Sequence, residues 1–193
     1  MSEVYPLEKV AVPGAGRPAA GTSAITLAER RPGSIVEVAV WDSGEAVPAT
    51  VFPGGAPSGR TAVSTPGHLY ISLAPGRYLA IGQDAGLAAR LQQALPVSEG
   101  TVTDLTHGRA GIRITGAPAA DLLQKGLAFD LGVEAFPPMS ATTAGLAHIS
   151  VTVVRLDAET FDIYAMTSFA QSLWDWVSDA AVEYGWQVAA PSV

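Results

Sequence analysis

The chain has 193 residues, 48% hydrophobic and 15% charged, which suits one compact unit or one and a half with a sizeable core and argues against disorder over the whole length. Eighteen acidic against 11 basic residues give a net charge of −7, a balance that repels phosphate backbones and anionic lipid heads, so neither nucleic acid nor membrane is an expected partner. There is no cysteine, which excludes disulfide scaffolds, thiol nucleophiles and cysteine metal sites.

Residues 1–10 contain Glu3, Glu8 and Lys9 and no continuous apolar stretch, so no signal peptide is expected. No apolar run approaches the ~20 residues that span a bilayer, and the expected compartment is the cytoplasm. The low charge fraction suits a chain whose apolar surface is covered by a partner, although an alanine-rich composition gives the same figure. Residues 1–22 are rich in Gly, Pro and Ala and read as an extended arm, ordered only when bound, ahead of one domain over 23–193.

Strands are expected at 23–27 and at 34–41, where Ile35, Val36, Val38 and Val40 form a β-branched run. Residues 46–67 read as a long loop punctuated by proline and glycine. The alternation of Leu69, Ile71 and Leu73 predicts a strand over 68–73, Pro75-Gly76 a turn, and 77–81 the returning strand. Asp84 is placed to cap a helix whose apolar face is Leu87, Ala88, Leu91 and Leu95. Short strands follow at 101–105 and 110–115. A short helix then has Pro118 in its first turn, Lys125 in its last and Gly126 as its stop. After a loop through Phe136-Pro137-Pro138 come strands at 148–156 and 161–166, joined by a turn at 157–160. The last helix starts with a capping box from Ser168 and Gln171, carries Phe169, Leu173, Trp176, Val177, Ala180, Ala181 and Tyr184 on one stripe, and ends at Gly185. Trp174 falls off that stripe, which leaves two readings: it faces outward as an anchor for a subunit contact, or the helix has a wide buried face that includes it. Residues 68–95 and 148–184 share a strand–turn–strand–helix order. The expected fold class is therefore α+β with duplicated units, antiparallel sheets carrying helices on one face.

Two glycine-rich stretches imitate nucleotide motifs. In VAVPGAGRPAAG (10–21) the third glycine is out of register, Pro13 and Pro18 flank the turn, and no amphipathic helix follows. GGAPSGRT (54–61) has Arg60 in place of the P-loop lysine, and Pro57 interrupts the cradle. Both read as loops. His68, His107 and His148 are too dispersed to show metal-ligand spacing, and Asp104 with His107 reads as a turn rather than a general base. Asp121, Asp130, Glu134 and Asp157 sit at turns, where carboxylates cap backbone amides, and no serine lies in a nucleophile elbow. No catalytic, cofactor-binding or metal-binding residue emerges from the motifs.

Taken together, Thr103–His107 (TDLTH), Arg113–Gly116, AADLLQKG at 119–126, Asp130-Leu131 and Ala135-Phe136-Pro137-Pro138 form an ordered block. It continues through 148–156, Phe161-Asp162-Ile163-Tyr164, Ser168-Phe169-Ala170, Ser172-Leu173-Trp174 and Glu183-Tyr184-Gly185, with Tyr78–Gly82 ahead of it. Over roughly 65–186 this resembles the gamma subunit of heterotetrameric sarcosine oxidase and, more distantly, folate-dependent aminomethyltransferases. The resemblance implies a folate-binding-domain-like fold and a non-catalytic, structural role. The partners it implies are alpha, beta and delta subunits, chiefly alpha. It also implies that FAD, FMN, NAD, tetrahydrofolate and zinc belong to those subunits, with no cofactor on this chain. The complex would oxidise sarcosine to glycine, with formaldehyde or 5,10-methylenetetrahydrofolate and hydrogen peroxide as co-products. The alternatives are a free-standing folate-binding or methyl-transfer module and a gamma-type subunit of a related N-methyl amino acid oxidase or dehydrogenase.

Overall fold

In the computed structural model, residues 5–19, 23–41 and 50–193 are described. A two-residue strand, β1 (Gly16–Arg17), precedes two runs of similar order. The first run comprises β2 (Ile25–Arg30), β3 (Ser34–Val40), β4 (Ala62–Thr65), β5 (His68–Ala74), β6 (Arg77–Gly82) and the helix α1 (Leu87–Ala94). The second comprises β7 (Gly100–Asp104), β8 (Arg109–Thr115), the short helix α2 (Ala119–Gln124), β9 (Ala141–Leu146), β10 (Ile149–Arg155), β11 (Thr160–Met166) and α3 (Ala170–Ala180). A final strand, β12 (Trp186–Val188), closes the order.

The strands sort into two sheets, β4-β5-β6-β3-β7 and β1-β12-β2-β8-β11-β10-β9. Each contains a three-strand meander followed by a helix, of which the sequence predicts the last two strands and the helix. The opening strand of each run is exchanged. β2 pairs with β8 of the second run, Leu27 opposite Ile114, while β7 pairs with β3 of the first, Val38 opposite Val102. β12 and β2 pair in parallel, so the larger sheet is mixed where an all-antiparallel one was expected.

The contacts divide the chain into two units, with the larger sheet in the first and the smaller in the second. In the second unit, alternate residues Val36 and Val38 of β3, Tyr70 of β5, and Tyr78 and Ala80 of β6 bury one sheet face against Leu87 and Leu91 of α1. Phe52 fills the remaining gap, its ring 5.1 Å from Tyr70 and 4.9 Å from Tyr78. Gly67 (φ 78°) and Gly76 (φ 72°) make the two tight turns, each after a proline. In the first unit, Ile112, Ile114, Val151, Val153, Phe161 and Ile163 bury one face of the sheet against Leu122, Leu123, Leu173 and Val177 of the helices.

Several expectations are corrected. Residues 1–4 and 20–22 of the expected arm lie outside the described residues, but its described part is held in place. Leu7 and Ala11 join the core of the first unit, and β1 pairs with β12. The cause is a buried carboxylate: Glu29 accepts the Leu7 amide at 2.9 Å, and Arg31, whose guanidinium lies over the Tyr5 ring, donates to it at 2.7 Å. Residues 46–49 of the expected loop also lie outside the described residues, and its end forms β4. A strand absent from the sequence reading, β9, turns into β10 through Ala147 (φ 47°) and His148 (φ 73°), a two-residue turn with no glycine.

Asp84 does not cap α1, which starts after Gly86 without a side-chain cap. Gly126 does not stop α2 by a left-handed turn. A Cβ there would lie 2.5 Å from the Trp176 ring and 2.7 Å from Leu146, so glycine is required by close approach. The capping box is missing too, because Gln171 donates instead to Asp175 at 2.7 Å. The buried stripe of α3 is Ala170, Leu173, Trp174 and Val177, at spacings of three and four. Trp174 therefore faces inward, edge-on to Trp186 at 6.4 Å, and Phe169 is the residue left exposed.

Candidate functional site

Two clusters of ionisable side chains stand out, one in each unit. In the second unit a cleft of about 260 Å³ lies beside α1. Val51, Pro53, Pro66, Leu87 and Leu91 supply its apolar walls, and Thr50, Thr65, His68, Tyr70 and Arg90 its polar groups. The alternation of β5 presents His68 and Tyr70 on the same face, two residues apart, with their rings nearly parallel and 6.0 Å between centroids.

At the rim, Arg90 donates to Asp84 Oδ1 at 2.9 Å and to His68 Nε2 at 2.9 Å. The same Nε2 lies 3.2 Å from Asp84 Oδ2, and His68 Nδ1 lies 3.3 Å from the Pro66 carbonyl oxygen. One ring nitrogen thus sits between a donor-only guanidinium and an acceptor-only carboxylate. The neutral imidazole accepts from Arg90 there, and the imidazolium donates to Asp84. Partial burial pushes the Asp84 carboxyl up. The hydrogen bond and charge of Arg90, with hydrogen bonds from His68 and the Gly86 amide, outweigh that and hold it below the ordinary aspartate value. Burial raises the Tyr70 phenol, against a hydrogen bond with Thr65 that lowers it.

In the first unit, Asp162 of β11 is fully buried. Arg113, directly opposite it on β8, donates Nε to Oδ1 at 2.7 Å and Nη2 to Oδ2 at 2.9 Å, a bidentate pair. Arg30 Nε of β2 makes a second ion pair to Oδ2 at 3.0 Å, and the Tyr164 hydroxyl donates to Oδ2 at 3.2 Å. Asp162 raises the pKa of Arg113, and burial followed by the Asp162 charge raises that of Tyr164. Gly111 makes room for the cluster: a Cβ there would lie 2.7 Å from the Tyr164 ring and 2.8 Å from Arg30 Cβ. Two guanidiniums on one carboxylate make a fixed electrostatic tie across three adjacent strands.

Residues 69–191 match the GCVT N-terminal domain family. The sarcosine oxidase subunit gamma of Corynebacterium sp. (strain P-1) is 34% identical over 127 residues, 65% of this chain and 63% of that protein. The chain thus spans slightly less than two thirds of that relative's length. The sarcosine oxidase subunit gamma of Arthrobacter sp. is 30% identical over 154 residues, 78% of this chain and 74% of that protein. The chain belongs to the GCVT N-terminal domain family and to the sarcosine oxidase gamma subunits. A solved chain of the heterotetrameric sarcosine oxidase from Corynebacterium sp. U-96, in complex with pyrrole 2-carboxylate, superposes with a TM-score of 0.81 at 25% identity, over 94% of this chain and 96% of that one. The glycine cleavage system aminomethyltransferase T from Bartonella henselae shares the fold, with a TM-score of 0.64 at 15% identity, over 96% of this chain and 59% of that one.

In this gamma-type chain the residues weighed from sequence are placed as follows. Of the three histidines, His68 belongs to the cleft, His107 follows the end of β7 and His148 forms the β9–β10 turn. Asp104 Oδ1 accepts from the Thr106 amide at 2.9 Å and hydroxyl at 2.6 Å, Asp130 from the Gly132 amide at 2.6 Å, and Asp157 from the Glu159 amide at 2.9 Å. These are turn carboxylates, as expected. Gly16 lies in β1 with the Trp186 carbonyl oxygen 2.4 Å from where a Cβ would stand, so it serves strand pairing. The 54–61 stretch leads into β4, not into the helix that a phosphate cradle needs. The Asp162 cluster escaped the sequence reading. Its signal was an acidic residue in the middle of an otherwise apolar strand, a position where aspartate is depleted.

Proposed function

We propose that this chain is the non-catalytic gamma-type subunit of a sarcosine oxidase complex, a scaffold that supplies no active site or cofactor ligand. The observation that carries this reading is the 94% and 96% mutual coverage with one chain of a heterotetrameric sarcosine oxidase, so that a single subunit fold accounts for nearly the whole polypeptide. The ionisable groups support it. Asp162 is consumed by two arginines and Asp84 by Arg90 and His68, as in a framework held by internal ion pairs. Trp41, Val97, Met166 and Phe169 are exposed large apolar side chains, of the kind a neighbouring subunit buries.

In this reading the alpha, beta and delta subunits hold FAD, FMN, NAD and zinc, and they carry out the oxidation of sarcosine to glycine in the cytoplasm. This chain binds chiefly the alpha subunit. The folate that the fold suggests does not fit the cleft beside α1. At about 260 Å³ it falls below the ~300–1,000 Å³ of drug-sized sites. The test is to purify the chain alone and co-expressed with its three partner subunits. The chain alone should show no flavin absorbance, no demethylation of sarcosine and no calorimetric heat with tetrahydrofolate, and co-expression should give a yellow complex containing it. Turnover by the chain alone, or micromolar folate binding, would favour a free-standing methyl-transfer module instead.

A further inference from the structure

β1, β9, β4 and β7 form the outer edges of the two sheets, and the first three are short or partly covered. β1 has only two residues. Along β4, the Ala62 amide donates to the Met139 carbonyl oxygen at 2.7 Å, and the Ala141 amide donates to that of Arg60 at 2.9 Å. β9 is held at one end by that second bond and at the other by a bridge from Leu146 to Leu127. β7 is different. The Leu105 amide donates to Ile35 and the Glu99 carbonyl accepts from Trp41, both at 2.8 Å, so the odd-numbered residues of this stretch face β3. Backbone groups alternate in direction along a strand. The Gly100 C=O, the Val102 N–H and C=O and the Asp104 N–H therefore point away from the sheet, and no described residue pairs with them. The strand reads Gly-Thr-Val-Thr-Asp, with no proline, lysine or bulge to blunt it.

Both ends of this edge carry groups suited to recognition. At one end Trp41 is 62% exposed yet fixed, because its indole Nε1 donates to the carbonyl oxygen of Val97, itself 87% exposed. An aromatic ring held in place loses little entropy when a partner covers it. Glu99 is exposed at the same end and Asp104 at the other. The Thr106 hydroxyl and amide both bond Asp104 Oδ1 and hold the carboxyl below its ordinary value, which leaves Oδ2 to an incoming cation.

We propose that β7 accepts an extended segment of a partner polypeptide as a further strand, one with lysine or arginine near Asp104 and Glu99 and an apolar side chain against Trp41. The inference rests on the reading of this chain as one subunit of a complex, and it says where another subunit is met. A second copy of the chain suits the edge poorly. Antiparallel pairing of two β7 strands about Val102 would set Asp104 beside Glu99 of the other copy at both ends, like charge against like.

Val102→Pro is the decisive variant, because it removes an N–H that the pairing with β3 does not use. The full chain and this variant are titrated with a capped lysine–valine–threonine–valine–lysine–leucine peptide, and with the same peptide carrying glutamate for both lysines, while amide resonances are followed by NMR. The lysine peptide should shift the Val102 and Asp104 amides saturably, bind about tenfold tighter than the glutamate peptide, and lose its binding in V102P. Asp104→Asn, which keeps an acceptor for Thr106, should reduce the preference, and it decides alone with the two peptides if V102P does not fold. Hydrogen exchange at Val102 and Asp104 should slow when the chain enters the assembly with its three partner subunits. Equal binding of the two peptides, shifts confined to residues outside β7, a dimer of this chain paired through β7, or unchanged exchange within a formed assembly would overturn the proposal. A lysine peptide that binds β7 when no assembly forms supports the edge as a docking strand and refutes the subunit reading instead.

Discussion

Replacing Asp162 by asparagine keeps the shape of the side chain and removes its charge. In the native protein this carboxylate has no solvent exposure and receives Arg113 at 2.7 and 2.9 Å, Arg30 at 3.0 Å and the Tyr164 hydroxyl at 3.2 Å. Without it, two guanidiniums face each other across a low-dielectric site with nothing to neutralise them. Removing one member of a buried ion pair costs about 3–5 kcal/mol. In a chain of this length each kcal/mol shifts the melting temperature by about 2–4 °C, so a fall on the order of 10 °C is expected. Tyr164→Phe deletes one donor but leaves both ion pairs, and it should cost only about 0.5–1.5 kcal/mol. Urea denaturation followed by tryptophan fluorescence measures both variants. A loss below about 1 kcal/mol for Asp162→Asn, or equal losses for the two variants, would refute the view that paired charge holds these three strands.

Gly126→Ala should destabilise by about 1–3 kcal/mol, because the new methyl meets the Trp176 ring at 2.5 Å, and the Trp fluorescence spectrum should shift with it. The double change Ala147→Asn, His148→Gly should stabilise by about 1 kcal/mol, as read by thermal melting, since both positions hold positive φ in a turn that favours Asn-Gly. Tyr184 is pushed up to about 12, first by its hydrogen bond to Glu183 and then by desolvation. A raised phenol contributes its stability fully below the ordinary value of about 10 and loses it as pH rises through the folded value. Ultraviolet titration should show Glu183→Gln moving the Tyr184 midpoint down toward that value. Asp104 is held low by the Thr106 hydroxyl and amide, so its contribution is present above the ordinary aspartate value and lost as pH falls through the folded one. Its carboxyl shift in NMR should titrate at higher pH in Thr106→Val.

What the sequence disclosed depended on how local the cause was. The β5–β6 hairpin was legible because Pro75-Gly76 punctuates an alternating run, and β3 because Val36, Val38 and Val40 follow Ile35 at every second position. β9 was hidden because its turn is Ala147-His148, which carries none of the usual residues, and because Ala141–Leu146 holds only weak strand formers at its end. α3 was placed correctly, and Leu173, Val177 and Ala181 of its expected stripe are buried, but Ala170 and Trp174 are buried where Phe169 and Trp176 were expected. Burial of Trp174 depends on Trp186 of β12, a contact no helical wheel contains. The His68–Asp84–Arg90 cluster needed three separate elements, β5 with His68, the β6–α1 link with Asp84, and α1 with Arg90, and each residue alone looks like ordinary surface. The exchange of β2 and β7 between the two sheets was beyond reach for the same reason: strand pairing is a choice among partners far apart in the chain, and periodicity does not record it.

Native mass spectrometry of the co-expressed assembly addresses the scaffold role most directly. The expected result is one copy of this chain in a single particle with the three partner subunits, and flavin retained after the chain has been stripped away. A chain that stays monomeric beside those partners, or one that carries flavin with it when it dissociates, would contradict the account.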